Sequence, residues 1–525
     1  MPLRETDPKF ESELFDQVKA AFNAKFGILQ YDLPLPLILA VEDVQAERLI
    51  PCHEPSEETM VVSAHVSARI HAFYEQTAAA YKEIEDPPAS ICIEITIQPQ
   101  GFYPEEPNCQ HRRYHSRRLR LHNPETLPDL PFVSSLLIRS RSLGSGAELA
   151  TDIRPLSPLV PLQCLVHLPE VQEWNARWLW ERPMPACMPS RVKREHYTWP
   201  WEGPLRDARH EFGAAIMDQE KYLCGRRIPA SLNRAALHFW PFFSLPRHDE
   251  AVARPNLIHP ADKDPVSVGL CKLGAQLSLF DVRAMVTPDL FPRPEAPADQ
   301  QWSQMRRFRL EFHSLRPDGR WYFTGPGGED PHDCEQGGYK ISESEHYPRD
   351  IDLDEDMDLA REYDYNFDDG TEYDLNMFRI EPCRERIEPL LSAFAKALRR
   401  DNMPCLEDAE IFTYVSWWPS DEREVNLEEK YDLPYTKGHR WGVKFIAGRG
   451  NEKQMDGGDD GAVVATSAAP TSPVVQWQVG EWRPREEVLS LFESLGRQEW
   501  LVFEWDKYRY SYDPDLLGHS QSSPI

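Results

Sequence analysis

Five stretches of this 525-residue chain repeat one spacing of apolar residues. Leu127, Leu130, Val133, Leu136 and Ile138 set it, and Leu165, Leu168, Val171, Trp174 and Ala176 reproduce it 38 residues later. Looser versions occur at Leu232, Ala235, Leu237 and Phe239, at Leu277, Phe280 and Val282, and at Leu406, Ala409 and Ile411. This Leu-x-x-Leu-x-Leu logic belongs to leucine-rich repeats, in which a turn delivers a short strand beside the strand before it. The interval here is irregular, whereas regular repeats of this kind run about 20–29 residues. Two architectures fit. One, which the spacing favours, is an irregular, leucine-rich-repeat-like open α/β solenoid of short strands and helices. The other is an ordinary α/β protein whose short strands follow leucine-containing turns.

Composition supports short elements. Prolines number 47, well above the average usage of about 5%, which favours turns and disfavours long uninterrupted helices. Aromatic residues make up 11% of the chain, a load that disordered chains lack. Helical spacing places an amphipathic helix over 9–26 and a second over Val66–Tyr81. Ser90–Ile97 puts Ile91, Ile93, Ile95 and Ile97 on one face, a strand signal. Phe308, Leu310 and Phe312 lead into Pro317-Asp318-Gly319 and then Arg320–Thr324, the pattern of a β-hairpin. A helix is expected over Pro382–Arg399, strands over Trp441–Ile446 and Val475–Val479, a helix over Pro484–Leu495 and a strand over Leu501–Trp505.

The charge is uneven. The chain carries 58 Lys+Arg and 86 Asp+Glu, a net of −28. Between Glu329 and Asp374 lie 18 acidic side chains opposed only by Lys340, Arg349 and Arg361, a local net of −15. Self-repulsion predicts an acidic segment extended on the surface. The expected organisation is then a helical region over 1–88, a leucine-rich-repeat-like α/β region over 89–328, an acidic surface insertion over 329–378, and an α/β continuation over 379–512. The last holds a disordered loop at 449–473, and residues 513–525 form a disordered tail. Strong negative charge disfavours nucleic acid and anionic membranes as partners.

Ten scattered cysteines without Cys-x-x-Cys, no Asn-x-Ser/Thr sequon, and no apolar run near the about 20 residues a membrane span needs point to a cytoplasmic or nuclear setting. Cys109, His111 and His115 are metal-ligand types at close spacing. A structural zinc site wants four ligands, no partner pair stands out, and Arg112, Arg113, Arg117, Arg118 and Arg120 would repel a cation. Such a cluster could hold phosphate or nucleic acid, and is expected instead to pair with acidic stretches of the same chain or of a partner. Asp350, Asp352, Asp354, Asp356 and Asp358 suggest a calcium loop, which needs glycine at position six and glutamate at twelve. Counted from Asp350, those positions hold Glu355 and Arg361, and from Asp352 they hold Met357 and Tyr363. Gly325-Pro-Gly-Gly328 lacks the Gly-Lys-Ser/Thr of a phosphate loop, and Gly144-Ser145-Gly146 is only a fragment. No catalytic, cofactor-binding or metal residue is nominated.

Leu127–Ile138, Leu159–Pro183, Trp201–His210, Pro288-Asp-Leu-Phe-Pro292, Pro317–Phe323 and, more loosely, the chain from about residue 90 to Tyr512 resemble a family of uncharacterised filamentous-fungal proteins described as F-box or F-box-like. The resemblance implies an irregular leucine-rich α/β region, joined to an F-box when one is present, and carries no catalytic residues. An F-box opens on a Leu-Pro-x-Glu-Ile-like helix and holds a tryptophan within about 50 residues. Here Leu33-Pro34-Leu35-Pro36-Leu37 lacks the glutamate, and the first tryptophan is Trp174. The expected function is a non-catalytic protein-interaction protein, in the F-box-like reading a substrate-recognition subunit. A hydrolase or transferase whose site assembles from distant residues is the rival.

Overall fold

The computed structural model describes residues 8–24, 27–36, 38–39, 41–42, 48–49, 54–100, 102–103, 116–140, 154–177, 191–240, 249–293, 297, 300–349, 376–420, 423, 439–448, 472–496 and 502–506. Eleven of its strands form one sheet, and they lie side by side in chain order. They are β1 (Ile28–Leu33), β2 (Ile91–Ile97), β3 (Val133–Ser140), β4 (Glu173–Arg177), β5 (Arg234–His238) and β6 (Leu279–Ala284). Then come β7 (Arg307–Phe312), β8 (Asp408–Val415), β9 (His439–Ile446), β10 (Val474–Gln478) and β11 (Val502–Asp506). Pairing is parallel from β1 to β8 and again between β10 and β11. Only β8–β9 and β9–β10 are antiparallel. The fold is mixed α/β with a mostly parallel sheet.

The spaced leucines explain how successive strands start. Each member of the five stretches is buried, and in the middle of the sheet one backbone device repeats. The Gln172 carbonyl accepts from the N–H groups of both Asn233 and Arg234, and the Asn233 carbonyl accepts from Ser278 and Leu279. Ser278 then serves Arg306 and Arg307, and Arg306 serves Glu407 and Asp408. A residue just ahead of one strand thus sets the register of the next. Parallel strands have no tight hairpin to do this, so the connections vary in length while the strand starts do not.

Because side chains alternate across a strand, this register produces continuous rows. Leu29, Ile93, Leu136, Trp174, Ala235, Phe280, Phe308, Ala409, Phe445 and Val475 face one another strand by strand, all buried. The helices cover this face. Tyr31 of β1 stacks on Phe73 of α2 (Ser56–Glu83), with ring centroids 4.6 Å apart. Further along the chain come α3 (Leu159–Leu165), α4 (Arg191–Met217), α5 (Pro265–Gly274), α6 (Arg384–Ala397) and α7 (Glu486–Glu493). Phe308 meets Phe394 of α6 at 6.4 Å, and Trp477 meets Phe492 of α7 at 4.8 Å. Helix α1 (Pro8–Asn23) buries Leu14, Val18 and Phe22 and packs on α2. Helices α4 and α5 cross closely because Gly213 leaves room: a Cβ there would lie 2.3 Å from the Pro265 carbonyl oxygen.

Several expectations change. Helices α1 and α2 occupy the two N-terminal helical stretches, and between them β1 joins the main sheet. The 28 residues of α2 contain no proline, so a proline-rich chain still builds a long helix where prolines are locally absent. The predicted hairpin shrinks to a turn in which Leu315 bridges Trp321 and Gly319 takes φ +83°. Its first proposed arm, 308–312, lies in the parallel sheet, because Phe308, Leu310 and Phe312 pack in the core. Pro382 pairs with Phe323 instead of opening a helix, and α6 begins at Arg384.

In the described part of the acidic segment two carboxylates are tied down. Asp330 pairs with Arg379 at 2.8 Å and with Arg386 at 2.6 Å, and Glu329 pairs with Arg423. Arginines elsewhere in the chain thus neutralise its root. Residues 350–375, 449–471 and 507–525 lie outside the described residues, and with them most of the expected disordered loop and all of the expected disordered tail.

Candidate functional site

The opposite face of the sheet is polar, and the same register builds it. Gln30, Glu94, Leu137, Asn175, Ala236, Asp281, Arg309, Glu410, Lys444 and Gln476 follow one another from β1 to β10. Strand sequences such as Leu279-Phe-Asp-Val-Arg-Ala284 and Arg307-Phe-Arg-Leu-Glu-Phe312 alternate apolar and charged residues, which sends the charges to this face.

The charges link one strand to the next. On β2 and β3, Arg139 pairs with Glu94, which also accepts from Gln30 of β1. Glu173 of β4 pairs with Arg234 of β5 at 3.4 Å. In the centre, His238 of β5 lies 3.3 Å from Asp281 of β6, and Arg309 of β7 approaches the same carboxylate at 3.7 Å. Beside them Arg283 pairs with Glu311 at 3.0 Å. Burial by itself would push the Asp281 carboxyl up, but His238, Arg309 and Arg283 outweigh it and hold that carboxyl well below the usual carboxylate range. Burial likewise opposes the charge on Arg309, and Asp281, Glu311 and Glu410 overcome it and raise its pKa.

An aromatic ring continues the chain of contacts. Phe412 of β8 sits between two guanidiniums, Arg309 at 4.9 Å and Arg440 of β9 at 3.9 Å from its centroid. Such stacking adds cation–π attraction to packing. Arg440 also pairs with Glu410 and donates to Gln478 of β10 at 2.6 Å. Gly442 faces Phe412 across the strand pair, and a Cβ there would come within 2.3 Å of the Ile411 carbonyl and 2.6 Å of Phe412 Cβ. At the strand starts Glu407 pairs with both Arg306 and Arg307. Each central group therefore has its charge balanced and its orientation fixed by a neighbour. That suits a preorganised recognition surface.

A second polar cluster fixes the loops after the strands. His346 Nδ1 lies 2.7 Å from Glu202 of α4, and the Tyr339 hydroxyl donates to the same carboxylate at 2.6 Å. The Glu250 carboxylate accepts from the backbone N–H groups of Phe378 and Arg379 at 2.7 and 2.6 Å. Burial pushes its pKa up to about 7, against those two donors and the nearby Arg379 and Arg254. Trp321 lies between Arg254 and Arg379, with all three buried. This cluster joins the root of the acidic segment to the body of the protein.

Of the residues weighed in sequence, Cys109, His111 and His115 lie outside the described residues. Among the described residues no group of three or more His, Cys, Asp or Glu is placed to hold a metal ion. Arg120 pairs with Glu211 at 3.1 Å, and Arg117 donates to the carbonyl of Pro348, at the root of the acidic segment. Burial lowers the pKa of Arg118, beside Glu211, to about 9. Sequence reading missed every residue of the polar face. The alternation of charged and apolar residues in β6 and β7 was the available signal. No helix among the described residues is long and apolar enough to cross a membrane. No protein-family model, no curated protein and no solved structure matches the chain.

Proposed function

We propose that the chain is a non-catalytic protein-interaction protein, an irregular leucine-rich-repeat-like solenoid whose polar sheet face receives a protein partner. The observation that carries this reading is the division of the sheet: strands in chain order, helices on the apolar face, and a strand-to-strand ladder of charges on the other. Repeat architectures expose extended surfaces of this kind for binding. In the F-box-like reading suggested by the sequence, the same face selects the substrate of a ubiquitin ligase, without a recognisable F-box in residues 1–88.

The test is affinity capture on the full chain in parallel with an Arg307→Glu/Arg309→Glu variant. A reproducible partner that the variant loses, at unchanged melting temperature, is the expected result. Ubiquitin-ligase subunits among the captured proteins support the F-box relation. A partner set indifferent to the substitutions overturns the docking face. Turnover of ester, peptide or group-transfer substrates that Asp281→Asn abolishes would instead establish the hydrolase or transferase reading.

A further inference from the structure

The ion pairs of the polar face are tilted in one sense. In the Arg139–Glu94 pair the arginine side chain is 49% exposed and the glutamate 10%. For Arg309 and Asp281 the values are 44% and 26%, and for Arg307 and Glu407 they are 59% and 44%. Arg234 and Arg440 are likewise more exposed than Glu173 and Glu410. Among the described pairs of this face, Arg283–Glu311 and His238–Asp281 run the other way. Carboxylates thus form the lower layer and guanidiniums the outer one, from β3 to β9. An approaching molecule meets a cationic strip on a protein whose net charge is −28.

From this charge complementarity we propose that the occupant of the polar face is an extended acidic segment of a partner protein, held by Arg139, Arg234, Arg307 and Arg309. The proposal rests on the docking reading above and adds the partner's chemistry. Among the four, the Arg307 side chain is the most exposed, Arg139 and Arg309 follow, and Arg307 and Arg309 sit two residues apart on one strand. Guanidiniums present a planar fork that matches carboxylates. From Arg139 on β3 to Arg307 on β7 the segment crosses four strand gaps of about 4.8 Å, and Arg139 lies four residues further along the strands than Arg234 and Arg307, so it runs obliquely over roughly 23 Å, which about seven extended residues span. A nucleic acid fits less well. A nucleic acid carries an obligatory phosphate at every unit into the field of the whole acidic molecule, whereas a protein segment can place a few carboxylates only where the guanidiniums lie.

The experiment uses the full chain and fluorescein-labelled peptides of about twelve residues, long enough to span the strip. One peptide alternates Glu with Ser and Tyr, a second replaces each Glu by Lys, and a labelled oligothymidine serves as the phosphate probe. The acidic peptide is expected to bind saturably, to weaken as salt is raised, and to lose about tenfold in affinity in Arg307→Gln/Arg309→Gln. Glu407 keeps Arg306 and Asp281 keeps His238 in that variant, so the fold is expected to hold, as an unchanged melting temperature would verify. Arg139→Gln, at the far end of the strip, tests the same surface independently and is expected to cost about threefold. Equal binding of the Lys peptide, tighter binding of the oligothymidine, or acidic binding unmoved by all three substitutions overturns the proposal. If the captured partner depends on Arg307 and Arg309 but the acidic peptide does not bind, the docking face stands and the acidic occupant falls.

Discussion

The two faces of one sheet are built from the same strands and solve opposite problems. Phe280 and Asp281 are adjacent in β6, yet Phe280 lies in an aromatic core with Trp302 and Phe308, while Asp281 holds His238 and Arg309. The apolar face gains from removing surface from water, about 25 cal/mol per Å² buried. On the polar face, charge pairing mainly offsets desolvation, and partly exposed pairs contribute little net stability. The difference teaches that the helix-covered side holds the fold together, whereas the charged side is free to carry specificity.

Substitutions should separate the faces, most severely on the apolar one. Trp174 is fully buried in the central row. Trp174→Ala is expected to cost about 3–5 kcal/mol, read as a large fall in the denaturation midpoint. A cost below about 1 kcal/mol would contradict the central role of that row.

Gly442→Val is expected to come next, at about 1–3 kcal/mol, because the added carbons meet the Ile411 carbonyl and Phe412. This polar-face site should therefore behave like a core site. Unchanged stability would show that β8 and β9 can part without penalty.

Acid separates the faces in another way. Burial lowers the pKa of His439 to about 4, and burial together with Arg254 lowers that of His313 to about 3. The folded chain keeps both neutral, whereas the unfolded chain begins to bind their protons near pH 6.5. Their contribution is therefore fully present above pH 6.5 and is lost as pH falls toward 4, on the order of 2 kcal/mol per histidine. Asp281, with its lowered pKa, keeps its contribution through that window and loses it only under stronger acid. A melting temperature that falls between pH 6.5 and 4, with a shallower slope in His439→Gln, is the expected outcome. Glu250, raised to about 7, works in the opposite sense in both chains, so a slope left unchanged by His439→Gln would show that this imidazole is not held neutral.

The smallest effect is expected from Arg309→Gln. Its side chain is partly exposed and its carboxylate partner retains His238, so stability should change by less than about 1 kcal/mol. Circular dichroism melts check this. A loss comparable to that of Trp174→Ala would mean that the charge ladder supports the fold itself.

Much of the apolar face was legible in the sequence. Leucine spacing marked the starts of β3, β4, β5, β6 and β8, and the isoleucine alternation marked β2, because local periodicity reports which side of an element is buried. The charge ladder was not legible. Arg306 and Glu407 are 101 residues apart, and their meeting depends on parallel neighbours joined by connections of unequal length. Nor did composition show that Asp330 would find Arg379 and Arg386, since segment charge counts only its own residues. Local patterns reveal faces, while partners across strands follow from register.

Hydroxyl-radical footprinting of the full chain, alone and bound to its captured partner, tests the division of the faces most directly. Tyr414 and Leu279, half-buried on the polar face, are reporters there, and the exposed Met60 of α2 and Met217 of α4 report on the helical side. The expected result is partner-dependent protection of Tyr414 and Leu279 with Met60 and Met217 labelled as before. Protection of the two methionines with Tyr414 and Leu279 unchanged would contradict the account.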